Sequence, residues 1–408
     1  MNILIINTVA LNGGDYLILE SLLSTLKEAY GEEISIGVYD LHNEVAKKYY
    51  PHIQFRKSLS SKYDVDQWDI LMKCADLYIA EQEGQALALL PPMMKEDFTD
   101  FCNADLVVST GGTYLVENYY LGSRIIEFAF ILNLNKPLVF FTQSLGPFNQ
   151  ILHRKYFSDI MDDADLIILR DQESLRNIAS LGIDTSNVKI CSDAVFSQSS
   201  ISVLTEAKDK VLNNTLQIGI SVRYWRYYKK SPAKVAQERY FRSIASLCKF
   251  IVQHLDGNVV FVSTCQGIPE YHTDDSKAAI EISNLLPQEI KDRLTIIKDF
   301  LYPDDFNDIV SGFDLFVSTR MHGAIQSLNL GVPVLPIAYE FKTRELFNKL
   351  IDSGMILDIE TINENNIIEV FSEFYANIDK FRADLFDKVI AERQSSLNAI
   401  GHLRELVI

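Results

Sequence analysis

The sequence predicts an α/β chain built as two Rossmann-like, doubly wound domains facing across a cleft. Three observations carry this. A chain of 408 residues exceeds one ordinary core, so two domains of about 200 residues each are expected. Short apolar runs recur along its length, each followed by a glycine or polar turn and then a helical pattern. Those runs are continuous rather than alternating, which suits strands buried on both faces in parallel sheets covered by helices.

In the first half the strand runs are "ILIIN" (3–7), "ISIGVYD" (34–40), "DLVVST" (105–110), "PLVFFTQ" (137–143), "DLIILRD" (165–171) and "VKICSD" (188–193). In the second half they are "QIGISVR" (217–223), "NVVFVST" (258–264), "LTIIK" (294–298), "DLFVSTR" (314–320) and "VPVLPI" (332–337). The pair "DLVVSTGGTYL" and "DLFVSTRMHGA", 209 residues apart, suggests an internal duplication with equivalent strand ends. The first domain is expected over 1–200, with a helical insertion at about 42–100 that separates two strands by more than a normal connection. That insertion, with Tyr49, Tyr50, Phe55, Tyr63 and Trp68, reads either as an extra helical layer or as a lid. A polar, aperiodic linker falls at 197–214, the second domain over 215–380, and a C-terminal helix over 381–408 that returns to the first domain.

The formal net charge of −17 argues against nucleic acid as a partner, because phosphate binding needs a basic face. The five scattered cysteines form no C-x-x-C pair, which points to a reducing, cytoplasmic setting. The N-terminal apolar stretch lacks a basic region and is interrupted by Gly13-Gly14-Asp15, so it reads poorly as a signal peptide. No window approaches the ~18 uninterrupted apolar residues of a spanning helix. Asp162-Asp163 and Asp304-Asp305 look like helix-end acids, so no metal ligand set is expected.

Ligands of open α/β sheets bind beyond the carboxyl ends of the strands. In the first half those ends carry Asn12, Gly14 and Asp15, then Gly111-Gly112-Thr113, Gln143-Ser144 and Arg170-Asp171. None makes a G-x-G-x-x-G dinucleotide fingerprint. The second half differs in charge. "RYWRYYKKSPAKVAQERYFR" (223–242) carries seven Lys/Arg against one acid, beginning with Arg223 at a strand end. Arg320 and His322 bracket a helix start, where free amides and the helix dipole favour an anion. The guanidinium adds a bidentate grip and the imidazole a proton donor near neutral pH. Lys342 lies at the next strand end, with Arg344 just beyond. Arg223, Arg320, His322 and Lys342 thus converge on a small, multiply anionic ligand, opposite glycine loops and Asp15. This is the layout of a transferase that binds donor in its second half and acceptor in its first.

These residues resemble the polysaccharide pyruvyl transferase family. The matching pieces are N-x-G-D (Asn12, Gly14, Asp15), the glycine turn after "VVST", "QSLGP" (143–147) and "RDQES" (170–174). "SDAVF" (192–196), "SVR" (221–223), "STRMHGA" (318–324), "GVPVLPI" and "YEFKTREL" complete an ordered set over about residues 1 to 350. The resemblance implies a glycosyltransferase-B-like fold and transfer from phosphoenolpyruvate to two hydroxyls of a hexose, giving a pyruvate ketal and phosphate. It implies no cofactor beyond that donor. Arg320 and His322 match R-x-H-G, Lys342 the downstream lysine, Arg170 the R-D-x-x-S arginine, and Arg223 the arginine ending the second domain's first strand.

On this reading phosphoenolpyruvate is held by Arg223, Arg320, His322 and Lys342, and His322 is the proton donor. His322, Asp15 and Arg170 are the expected catalytic residues; either Asp15 or Asp171 serves as base. Asn12, Gly14, Asp15, Gly112, Gln143 and Ser144 are expected at the sugar acceptor. A polyprenyl-diphosphate-linked acceptor and peripheral contact with the inner membrane surface would suit the basic stretch and the aromatic insertion. Two rivals stand. One is a nucleotide-sugar glycosyltransferase, which wants a carboxylate for the ribose where this chain has Gln326 and Asn329. The other is a non-catalytic two-domain binding protein.

Overall fold

The computed structural model describes residues 1–208 and 210–406; residue 209, in the expected linker, and the last two residues of the expected C-terminal helix lie outside these. The chain forms two compact units. One comprises Met1–Leu11, Ile18–Ala194 and Ser395–Ile408, the other Asn12–Leu17 and Val195–Gln394.

The first unit holds β1 (Asn2–Thr8), β2 (Ser35–Asp40), β3 (Phe55–Lys57), β4 (Leu106–Ser109), β5 (Gly112–Leu115), β6 (Leu138–Leu145), β7 (Leu166–Leu169) and β8 (Val188–Ile190). They form one sheet in the order β3-β2-β1-β4-β6-β7-β8, with β5 beside β6. Every recorded pairing is parallel. All positions of β4, β6 and β7 are buried, which is why those runs lack alternation. The order reverses between β1 and β4, so the ligand crevice of this sheet lies at their carboxyl ends.

The second unit repeats the plan with β9 (Gln217–Ser221), β10 (Asn258–Phe261), β11 (Leu294–Ile296), β12 (Leu315–Ser318), β13 (Val334–Ala338) and β14 (Leu357–Asp358). The order β11-β10-β9-β12-β13-β14 reverses between β9 and β12. The repeated D-L-φ-V-S-T motif now has a physical role. Asp105, just before β4, accepts the Asn2 amide that opens β1 at 2.7 Å. Asp314, just before β12, accepts the Gln217 amide that opens β9 at 2.8 Å. Each aspartate ties together the strands that flank its sheet's switch point.

All eleven expected strands are present. The sequence missed β3 and β14, which are only three and two residues long. It also missed β5, which begins at Gly112 (φ 136°) inside what reads as a glycine turn. Residues 201–208, expected as aperiodic linker, form the Ile201–Lys208 helix with Leu204 buried.

The insertion is a helical layer of Asn43–Tyr49, Leu59–Lys62, Val65–Ile79, Glu83–Leu89 and Pro92–Cys102. Tyr63 and Trp68 are buried in one apolar cluster with Phe98, Phe101, Phe128 and Phe130. These aromatics therefore serve the core and not a lid. The C-terminal Ile378–Arg404 helix ends on the first unit, where Tyr30 Oη donates to Leu403 O at 2.7 Å and Arg404 donates to Glu28 O at 2.6 Å. Among the described residues no helix is long and apolar enough to cross a membrane.

Candidate active site

The candidate site of the second unit sits at the carboxyl ends of β9, β12 and β13. Arg320 ends the connection from β12 and precedes the Met321–Asn329 helix in extended conformation, its amide held by the Ser318 hydroxyl at 3.2 Å. Its guanidinium does not stand bare, as the sequence suggested. Nε and Nη2 each donate to Asp275 at 2.7 Å, and the Ser263 hydroxyl donates to the same carboxylate at 2.5 Å. Both side chains are nearly sealed, 9% and 2% exposed. Burial by itself lowers the arginine pKa; the Asp275 charge and hydrogen bonds outweigh it and hold Arg320 well above its ordinary value. Arg320 is therefore a permanent cation with one edge committed to Asp275. Asp275 opens the Asp275–Asn284 helix, and only the fold brings it to Arg320, 45 residues away.

His322 lies buried in the first turn of the Met321–Asn329 helix. The N-x-G-D turn closes over it. A Cβ on Gly14 would come within 2.6 Å of His322 Nδ1, and one on Gly13 within 2.0 Å of Thr264 O, so both positions need glycine. Asn12 Oδ1 accepts the Gly14 amide at 3.2 Å and shapes the turn. Residues 12–17 accordingly group with the second unit, and Asp15 stands near Cys265 and Tyr271.

Arg223, half-buried beyond β9, is held by rings. Its Cζ is 4.3 Å from the Tyr339 centroid and 5.0 Å from that of Trp225. Such faces stabilise a cation without neutralising it. Among the described residues Arg223 makes no ion pair. Lys342 Nζ approaches Tyr339 at 5.9 Å, but it also pairs with Glu340 Oε2 at 3.1 Å. Arg344 turns away to Asp358 at 3.2 Å. The cluster is thus less positive than its cations alone suggest, because Asp275 and Glu340 offset two of them. The buried Cys265 thiol lies within reach of four of these charges. Burial pushes it up to about 12, while Arg320 and Arg223 pull it down and Asp275 and Asp15 push it up.

Part of the remaining basic stretch serves structure through its backbone and Arg239. The Lys229 and Lys230 amides donate to the Glu360 carboxylate, and Arg239 donates to Glu360 O at 2.6 Å.

In the first unit, Arg170 is 6% exposed and its donors are spoken for. Nε donates to Ser144 Oγ at 2.8 Å, Nη1 to Asp193 at 2.5 Å and Nη2 to Thr113 Oγ1 at 2.8 Å. The Ser144 hydroxyl donates in turn to Asp171 at 2.7 Å, and Asp171 caps the Gln172–Ala179 helix through the Ser174 amide. Arg170, Ser144 and Asp171, expected as catalyst, acceptor contact and candidate base, form a buried network that fixes the ends of β6, β7 and the β8 exit. Gln143 is fully buried and donates to Thr110 O, with its Oε1 among the buried atoms lacking a partner. Among the described residues no group of three or more His, Cys, Asp or Glu is placed to hold a metal ion.

Sequence reasoning missed Asp275, Tyr339 and Trp225 as members of the site. Tyr339 was legible, since it leads the "YEFKTREL" motif; Asp275 was not, because nothing local marks its partner 45 residues on.

A family model described as polysaccharide pyruvyl transferase matches residues 12–340. The amylovoran biosynthesis protein AmsJ of Erwinia amylovora is 27% identical over 322 residues, 75% of this chain and 74% of that protein. Among solved structures, UDP-GlcNAc 2-epimerase from Neisseria meningitidis bound to UDP-GlcNAc aligns with a TM-score of 0.58 at 13% identity, over 99% of each chain. Anabaena Alr3699/HepE in complex with UDP-glucose aligns at 0.58 and 13% identity, over 98% of this chain and 97% of that one. At such identity these two structures speak to the fold alone: two Rossmann-like units of the glycosyltransferase-B-like class.

Proposed function

The chain belongs to the polysaccharide pyruvyl transferase family, and from that premise we propose that it uses phosphoenolpyruvate to place a pyruvate ketal across two hydroxyls of a hexose in a cell-surface polysaccharide precursor. The observation that carries this reading is the second unit's switch point. There an ion-pair-free Arg223 on two aromatic faces shares Tyr339 with Lys342, close to Arg320 and the His322 helix start. A carboxylate and a phosphate on three carbons suit one unneutralised cation, two partly offset ones and a set of helix amides.

His322 delivers a proton to the methylene carbon, C2 becomes oxocarbenium-like, and one sugar hydroxyl bonds to it while losing its proton to a base. The C2–O bond to phosphate then breaks, and phosphate leaves with the electron pair, its charge stabilised by Arg223, Arg320 and Lys342. The second hydroxyl closes the ketal and yields its proton. Asp15 is the carboxylate best supported as base, since its charge reaches Cys265 and Tyr271 beside Arg320. Arg170 acts here by positioning Thr113, Ser144 and Asp193.

The donor is a substrate, and the reading requires no cofactor or metal. It places the reaction in the cytoplasm, with exposed Tyr224, Arg226, Tyr227, Lys229 and Lys234 supporting peripheral contact with the inner membrane surface, where a polyprenyl-linked acceptor would be met. Gln326 and Asn329 are turned inward, to Asn307 and to Val195 O, which weakens a nucleotide-sugar donor. Thermal unfolding with added phosphoenolpyruvate, UDP-GlcNAc or GDP-mannose tests the donor. The proposal expects stabilisation by phosphoenolpyruvate; stabilisation by the nucleotide sugars alone contradicts it.

A further inference from the structure

The first unit's switch point, between β1 and β4, has a cation that the foregoing chemistry does not use. Arg124 lies in the first turn of the Gly122–Asn133 helix. Its Nε donates to Asn7 Oδ1 at 3.1 Å and its Nη1 to Tyr114 O at 3.3 Å, with the guanidinium 5.8 Å from the Tyr114 ring. Asn7 sits at the carboxyl end of β1 in a left-handed conformation (φ 62°), where its side chain bridges Arg124 to Ser109 at the end of β4. Arg124 therefore stands over the crevice where α/β sheets bind ligands.

Three facts mark it as waiting for an anion. Among the described residues Arg124 forms no ion pair, and Nη2 makes no hydrogen bond. Burial lowers its pKa, and the neighbouring Tyr114, Glu127 and Tyr119 offset that loss only in part. The one carboxylate on its face, Glu127 a turn further along, is wholly buried and pushed up to about 7 by that burial, so it offsets Arg124 only partly near neutral pH. The helix start adds uncapped amides, since Leu121 supplies no side-chain cap. At the ends of the neighbouring β4 and β6, the fully buried Gln143 Oε1, Thr110 Oγ1 and Thr142 Oγ1 have no hydrogen-bond partner among the described residues.

We propose that Arg124 and the Gly122–Asn133 helix start bind a phosphoryl group, so that the first unit takes a sugar phosphate or sugar diphosphate and not a neutral sugar. This deepens the reading above by naming the acceptor's chemical class and rests on it only for calling that ligand the acceptor. Tyr119 and Tyr120, 45% and 81% exposed on the loop entering the helix, offer ring faces to the attached sugar.

The test is calorimetric titration of the full chain carrying Arg223→Gln, which removes the second unit's switch-point cation that makes no ion pair among the described residues. The ligands are glucose 1-phosphate, farnesyl diphosphate and glucuronate. Phosphate binding is expected, weakened about tenfold or more by Arg124→Gln, the loss that follows removal of one charge-assisted bond. Asn7→Asp, which sets a carboxylate against Arg124, should weaken it similarly and decides the matter if Arg124→Gln does not fold. Preference for farnesyl diphosphate supports the site with a lipid-linked source, and preference for glucose 1-phosphate supports it with a soluble one. Unchanged affinity in both variants, binding of glucuronate alone, or no phosphate binding overturns the proposal. Phosphoenolpyruvate is absent from the titration, so an error about the donor leaves this result untouched.

Discussion

Replacing Asp275 by asparagine removes the charge opposite Arg320 while keeping the side chain's shape. The pair is bidentate at 2.7 Å and 2.7 Å, and only 9% and 2% of its two side chains is exposed. Breaking a buried pair from one side strands the other charge and costs about 3–5 kcal/mol. The substituted amide would retain one oxygen as acceptor, so the low end, about 3 kcal/mol, is expected. For a unit of this size that lowers its midpoint by about 10 °C. Arg320→Met should cost a similar amount by stranding Asp275. The double variant strands neither, so its loss should fall short of the summed single losses by about 2 kcal/mol or more. Urea unfolding reads this out. The two tryptophans divide between the units, Trp68 in the first and Trp225 in the second, so a Trp68→Phe background makes fluorescence report the second unit. Losses that add within about 0.5 kcal/mol would refute the claim that Arg320 and Asp275 act as one buried unit.

Glu127→Gln tests the buried carboxyl of the first unit. Its pKa rises from 4.5 to about 7 on folding because burial disfavours the charged form. Stability is therefore lost as pH rises from 4.5 towards 7, and Gln should gain nothing at pH 4 and about 3 kcal/mol by pH 8 in urea titrations. Gly14→Ala drives a methyl to within 2.6 Å of His322 Nδ1; turnover should fall about 100-fold while circular dichroism stays unchanged. His322→Asn should keep phosphoenolpyruvate binding by calorimetry and lose about 100-fold or more in kcat; near-normal turnover removes His322 as proton donor.

Most of the fold was legible because the central strands, buried on both faces, leave continuous apolar runs, and the short β8 and β11 also carry apolar sequence. β3, no shorter than those two, reads Phe55-Arg56-Lys57 and leaves no apolar run, β14 has only two residues, and β5 hid behind Gly112. In the site, strand-end position singled out Arg223, Arg320, His322 and Lys342, since ligand geometry in such sheets depends on topology. What sequence could not convey is which carboxylate each cation meets. Asp275 and Glu340 offset Arg320 and Lys342, and Asp193 occupies Arg170, through contacts fixed by folding. Conversely, nothing in the sequence around Arg124 marked it as part of a site. Only the placement of that helix over Asn7 gives its charge a meaning.

The most direct measurement of the central claim is phosphate release from phosphoenolpyruvate in deuterated water, with a panel of hexose-terminated prenyl diphosphates as acceptors and mass spectrometry of the product. The account predicts acceptor-dependent phosphate release and a ketal methyl carrying one solvent deuterium, the mark of protonation at the methylene carbon. Absence of phosphate release across the panel, together with consumption of UDP-GlcNAc or GDP-mannose by the same acceptors, would contradict it.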